Sequence, residues 1–205
     1  MTKHKNKLIA ALVIIFLLTA AWFWGGADNI YIPTAEQLSP APAPALVETH
    51  PAQRDPADPD DIIIGNDSFY VTLSVCVRML QYNMHLLHSD QHELVPEDGW
   101  IFPPTQVIAY EGESVFNILQ REMRRNRIHM ASRITPLFNS AYVEAINNLF
   151  EFDAGSLSGW KYSVNGWFPN FGSSRYILQA GDVIEWHYTL DLGRDLGVNW
   201  TDSNE

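Results

Sequence analysis

Trp160-Lys161-Tyr162-Ser163-Val164-Asn165-Gly166 is the stretch whose reading decides the fold. Its apolar side chains fall at every second position up to Val164. The same alternation returns in Ile184, Trp186, Tyr188 and Leu190, with Glu185, His187 and Thr189 between them. Period-two alternation is the pattern of a strand with one buried and one wet face. Asn165-Gly166 predicts a hairpin turn, because both residues tolerate positive φ. An aromatic loop, Trp167-Phe168-Pro169-Asn170, follows it.

Toward the N-terminus, Val71, Leu73, Val75, Val77 and Met79 alternate with Thr72, Ser74, Cys76 and Arg78, which predicts a first strand. Pro96-Glu97-Asp98-Gly99 has the chemistry of a turn, and Val107 to Tyr110 reads as a second strand. Gly112-Glu113-Ser114 then opens a helix, with Val115, Ile118, Leu119 and Met123 in one apolar stripe. Glu113 or Ser114 can cap it, and Arg121, Arg124, Arg125 and Arg127 gather where the dipole favours cations. Ile128 to Ile134, Tyr142 to Ile146 and Leu149 to Phe152 read as short strands, with a turn at Asn147-Asn148. The order predicts an α+β domain, one mixed sheet packed on one helix.

Ahead of this domain, Lys3, Lys5 and Lys7 precede an apolar run from Leu8 to Trp24. The run is just long enough to span a bilayer, and the lysines place the N-terminus in the cytoplasm. The sequence thus predicts a single-pass membrane anchor with the domain outside the cytoplasm. Gly25-Gly26-Ala27 is a weak cleavage site, so the rival is a removed signal peptide and a secreted product. From residue 28 to 61, Pro40, Pro42, Pro44, Pro51, Pro56 and Pro59 alternate with Ala, Asp and Glu. This predicts a disordered, semi-rigid linker that holds the domain off the membrane. The expected organisation is anchor 1–27, linker 28–61 and domain 62–205.

Residues 62–205 carry seventeen acids against nine bases. An acidic surface with no basic footprint excludes nucleic acid as a partner. Cys76 is the only cysteine, so no intramolecular disulfide can form, and nothing in its neighbourhood marks it as reactive.

Several segments together resemble one known family. They are Leu94-Val95-Pro96-Glu97-Asp98-Gly99, Glu111-Gly112-Glu113-Ser114-Val115-Phe116, Ile146-Asn147-Asn148-Leu149-Phe150-Glu151-Phe152-Asp153, Ser158-Gly159-Trp160-Lys161-Tyr162-Ser163-Val164-Asn165-Gly166 and Gly181-Asp182-Val183-Ile184-Glu185-Trp186. They look like the DUF4430 family, which is similar to the C-terminal domain of transcobalamin and intrinsic factor. The resemblance implies a β-grasp-like fold and extracytoplasmic or surface-attached proteins, mostly of Gram-positive bacteria. In the vitamin carriers the domain covers a cobalamin held mainly by a separate helical domain. No array of helix-period segments is present here. Several family members carry cysteines near the positions of Ala154, Ser173 and Leu190, and this chain has none there. The ligand the resemblance implies is a corrinoid.

Trp160, Tyr162, Asn165, Trp167, Phe168 and Asn170 form the candidate ligand surface, since flat aromatics beside amides can stack on a ring and bond its polar groups. Set against this, Trp160 and Tyr162 are also candidates for the core, and Trp186 and Tyr188 more so. His85, His88 and His92, with Asp90 and Glu93, lie close enough in sequence to suggest zinc, yet a structural site wants four closed ligands and no metal is expected. Asp191-Leu192-Gly193-Arg194-Asp195 offers too few oxygens for calcium and reads as a turn with an internal ion pair. No nucleophile–base motif, phosphate loop or paired catalytic acid is present, so no enzyme and no cofactor is expected. The expectation is an outward-facing binding module for a soluble ligand. Its alternative is a cell-surface protein-interaction or structural module without a small ligand.

Overall fold

In a computed structural model of the chain, the described residues are 30–34 and 53–198. The expected membrane segment, Leu8 to Trp24, lies outside them, as does most of the linker. Among the described residues no helix is long and apolar enough to cross a membrane.

The architecture is α+β. Strand β1 spans Ser68–Cys76, β2 Trp100–Tyr110, β3 Met130–Thr135, β4 Ser140–Ile146, β5 Leu149–Phe150, β6 Gly159–Val164 and β7 Val183–Thr189. Helix α1 is the single turn Arg78–Gln81, and α2 spans Val115–Arg125. The sequence predicts one mixed sheet, and the structure forms two: a four-stranded sheet in the order β2-β1-β7-β6 and a three-stranded sheet β3-β4-β5. The second sheet arises from local pairing. Asn147 and Asn148, at φ 54° and 61°, turn β4 back on β5, and β3 pairs β4 from Met130 to Thr135.

In the larger sheet β1 lies parallel to β7, while β1–β2 and β6–β7 are antiparallel. The alternation read from sequence sets its faces. Val71, Leu73 and Val75 of β1 and Ile184 and Trp186 of β7 enter one core with Val115, Ile118, Leu119 and Met123 of α2. Full burial of each such side chain contributes roughly 1.5–3 kcal/mol.

Two strand boundaries differ from the sequence reading. β1 stops at Cys76, because the chain turns into α1 and Met79 is buried from a helix rather than a strand. β2 extends back to Trp100 through Pro103 and Pro104. Prolines lack the ladder donor, and β2 tolerates them because it is the edge strand.

Helix α2 is capped by Ser114, not Glu113. The Asn117 N–H donates to Ser114 Oγ at 3.2 Å, and Asn117 Oδ1 accepts the Ser114 N–H at 3.0 Å, a reciprocal capping box. Glu113 instead accepts the Tyr110 N–H at 2.9 Å and pairs with Arg121. Arg121 also bonds the Ile108 carbonyl, so this arginine serves the fold.

Two segments that read as linker pack on the domain. The buried Asn83 side chain holds the Tyr31 backbone at both ends, accepting its N–H at 2.7 Å and donating to its carbonyl at 2.8 Å. Arg54 grips Asp182 with both guanidinium nitrogens at 2.7 Å. The Ala57 N–H donates to the Arg175 carbonyl at 2.8 Å, and Arg175 Nε donates back to the Ala57 carbonyl at 3.0 Å. Contacts of the domain thus reach back past Ile62, where the composition changes, to Arg54 and, among the described residues, to Tyr31.

An aromatic cleft where the two sheets meet

Strand β6 supplies the first wall. Register places Trp160 opposite Tyr188 and Tyr162 opposite Trp186. The Trp160 and Tyr188 rings meet edge-on with centroids 5.2 Å apart, and Tyr162 lies 5.5 Å from Trp186. Trp160 Nε1 donates to the Leu149 carbonyl at 2.9 Å, tying β6 to the second sheet.

Asn165 and Gly166 make the expected turn, at φ 52° and 79°. Val164 and Trp167 exchange two backbone bonds across it, and pairing stops there. The partner of β6 is β7, so the aromatic loop is free to leave the sheet. It runs to β4, where Ser174 Oγ accepts the Ala141 N–H at 2.9 Å and Gly172 packs against Ser140. The Tyr162 hydroxyl donates to the Phe171 carbonyl at 3.0 Å and pins the loop from the inside.

Between β6, the β3–β4 hairpin and residues 169–175 lies an open cleft of about 420 Å³. Phe138, Tyr142, Trp160, Tyr162, Phe171 and Trp186 supply its rings, and Asn170 and Arg175 its polar rim. The volume falls in the range of small-molecule sites, which run from roughly 300 to 1,000 Å³. Ile134, Leu137 and Phe138 stand exposed on the adjoining hairpin and extend its apolar wall outward. Trp186 is only 3% exposed, and its Nε1 is buried without a hydrogen-bond partner among the described residues. An unmet buried donor costs roughly 1–3 kcal/mol.

The structure divides the six candidate residues. Trp160, Tyr162 and Asn170 line the cleft. Asn165 is a turn residue, with its side chain donating to Asp182 at 3.1 Å and accepting the Val183 N–H at 2.8 Å. Trp167 is half-buried and packs on Phe171 and Tyr176. Phe168 faces a different pocket of about 230 Å³, lined also by Cys76, Arg78, Trp100, Glu185 and His187. There burial and then the Arg78 guanidinium push His187 down to about 4, and burial pushes the Cys76 thiol up to about 11. Burial likewise raises the Glu185 carboxyl above its ordinary value.

Phe138, Phe171 and Arg175 are not legible as site residues, because they come from a 3-10 turn and a loop with no periodicity, and Tyr142 reads as strand without any sign of what its side chain meets. Their meeting depends on the second sheet. The histidines also resolve. His85 and His92 sit in 3-10 turns, Met84–Leu86 and Ser89–Leu94, and His88 pairs with Asp90. Among the described residues no group of three His, Cys, Asp or Glu could hold a metal. Asp191 pairs with Arg194, as the turn reading expects.

Residues 112–189 match the family model described as a domain of unknown function, DUF4430. Among solved structures, the chain is similar to haptocorrin in complex with Cbi, at 14% identity and a TM-score of 0.44 over 60% of this chain and 25% of that one. It therefore spans a quarter of haptocorrin's length. It is also similar to a candidate metal binding protein from Ruminococcus gnavus, at 14% identity and a TM-score of 0.32, covering 59% of this chain and 96% of that one. No curated protein matches the chain.

Proposed function

We propose that the protein is a membrane-anchored, extracytoplasmic module that binds a soluble, ring-shaped ligand in the cleft between its two sheets. The observation that carries the reading is the cleft itself: six aromatic side chains around about 420 Å³, with Asn170 and Arg175 at the rim. Flat rings stack on such walls, and the rim amide and guanidinium bond polar substituents. A β-grasp reading agrees with a mixed sheet whose central pair is its first and last strands, with one helix of three turns on its face.

A corrinoid is the specific ligand the family resemblance implies. It is larger than the cleft, so the cleft would seat one edge of the ring, with Leu137 and Phe138 as an apolar shelf beside it. That exposed hairpin also favours a second reading, in which Ile134, Leu137 and Phe138 meet a protein at the cell surface.

Calorimetric titration of the full chain with cobalamin and cobinamide separates the two. Saturable one-site heat, weakened about tenfold in Phe138→Ala with the fold intact, supports the corrinoid. Absence of heat with both compounds removes the corrinoid and leaves the protein partner, to be sought by cross-linking through residue 138.

A further inference from the structure

The outward face of the larger sheet carries a second recess, the pocket of about 230 Å³ beside Phe168. Register builds its floor. Cys76 of β1 stands opposite Trp100 of β2 on one side and His187 of β7 on the other. Val75 and Trp186, one position earlier on each strand, pair toward the core, so Cys76 and His187 point away from it. The Arg78 guanidinium lies 4.5 Å over the Trp100 ring, and the Phe168 ring lies 5.8 Å from that of His187. Glu185, on the same face of β7 as His187, also lines the recess.

Two polar side chains here have bonding capacity to spare, and it is open to small molecules. Among the described residues neither His187 ring nitrogen makes a hydrogen bond, and the Glu185 carboxyl has one contact, from Ser163 Oγ to Oε2 at 3.5 Å. The partnerless side-chain atoms sealed from water among the described residues are His92 Nε2 and Trp186 Nε1. The His187 nitrogens and Glu185 Oε1 are therefore within reach of a molecule the size of water. Asp195, which also lines the recess, is instead taken up by the Thr189 hydroxyl and by the Leu190 N–H at 2.7 Å. Charge narrows the choice of guest. A half-buried carboxylate repels an anion, and the Arg78 guanidinium, whose charge is felt at both Glu185 and His187, repels a cation. A neutral guest is left. Burial and then Arg78 push His187 down to about 4, so its neutral ring offers one donor and one acceptor, while an ionised Glu185 offers acceptors alone.

We infer that this recess is a second ligand site, for small, neutral, planar heterocycles with two adjacent N–H donors on one edge. Glu185 accepts from that edge, His187 bonds a flanking group and Phe168 covers a ring face. The volume lies below the roughly 300–1,000 Å³ of drug-sized sites, which limits the guest to one ring or a fused pair. The inference makes no use of the cleft between the sheets, and each can fail without the other.

The test titrates the full chain with isocytosine and with uracil by calorimetry and follows the His187 imidazole by NMR. The two pyrimidines share size and neutrality. Isocytosine presents two adjacent N–H groups on one edge, whereas each uracil N–H adjoins a carbonyl. Isocytosine should bind at least about tenfold tighter, the worth of one hydrogen bond to a charged group, and should shift the His187 resonances saturably. Glu185→Gln keeps the shape and exchanges one acceptor for a donor, so it should erase the preference and leave the melting temperature equal or raised. Should that variant not fold, Phe168→Leu, which removes the ring and keeps an apolar side chain, should weaken isocytosine about tenfold. Equal affinity for the two pyrimidines refutes selection by the donor edge. Heat without any change at His187 places the guest elsewhere and overturns the site, as does an undiminished response in either variant. No heat with either compound also overturns the site and leaves the cleft reading standing.

Discussion

Replacing Arg54 by alanine tests whether a segment with the composition of a linker belongs to the fold. Arg54 reaches Asp182 with Nη1 and Nη2 at 2.7 Å each, donates from Nη1 to the Ile177 carbonyl at 2.9 Å, and lies 5.0 Å over the Tyr176 ring. Asp182 is 1% exposed. Breaking a buried pair by removing one partner costs about 3–5 kcal/mol, because the remaining charge is left uncompensated. Here the carboxylate keeps two donors, the Gln179 N–H at 2.8 Å and Asn165 Nδ2 at 3.1 Å, which places the loss toward the lower end of that range. A loss of about 3 kcal/mol lowers the melting temperature of a domain this size by roughly 6–12 °C. The assay is urea and thermal unfolding of the full chain beside Arg54→Lys. Lysine keeps the charge and loses the two-pronged geometry, so it should recover about half the loss. A cost below about 1 kcal/mol for Arg54→Ala would refute the reasoning, since surface pairs are worth no more than that.

Two further outcomes follow from the same geometry. Ser114→Ala removes the cap of α2 and leaves the Asn117 N–H unmet at the helix start, a loss of about 1 kcal/mol in urea unfolding that Ser114→Asp largely restores. His187 is held near 4 against an unfolded value of 6.5, so the unfolded chain binds the proton first as pH falls. Its contribution to stability is whole above about pH 6.5 and is lost progressively toward pH 4, and His187→Gln should flatten that slope in pH-resolved melting curves.

The large features of this domain are written locally. Alternation in Trp160 to Val164 and Ile184 to Leu190 gives the β6 and β7 faces, and the stripe Val115, Ile118, Leu119, Met123 gives α2. Asn165-Gly166 gives the turn, but not what happens after it, because Asn165 and the strand before it are bound to β7, which begins eighteen residues after Asn165. The cleft was half legible. Trp160 and Tyr162 point into it because strand register is a short-range rule, whereas Phe138 and Phe171 reach it through tertiary packing that no period encodes. Composition misled most at Arg54. Prolines and acids read as wet spacer, while a single arginine among them finds a buried carboxylate 128 positions away.

The parallel pairing of β1 with β7 has a bearing on how the chain is made. Ser74 and Ile184 stand 110 positions apart and are neighbours in the finished sheet. On the ribosome β1 emerges early and can pair with β2, but its other edge stays open until the chain has been synthesised past Thr189. Sheets closed by such distant strands form slowly, and an open apolar edge invites association in the meantime. The larger sheet thus stays incomplete throughout the interval between the emergence of β1 and that of β7, and its exposed edge in that interval is the part of the folding chain most in need of protection.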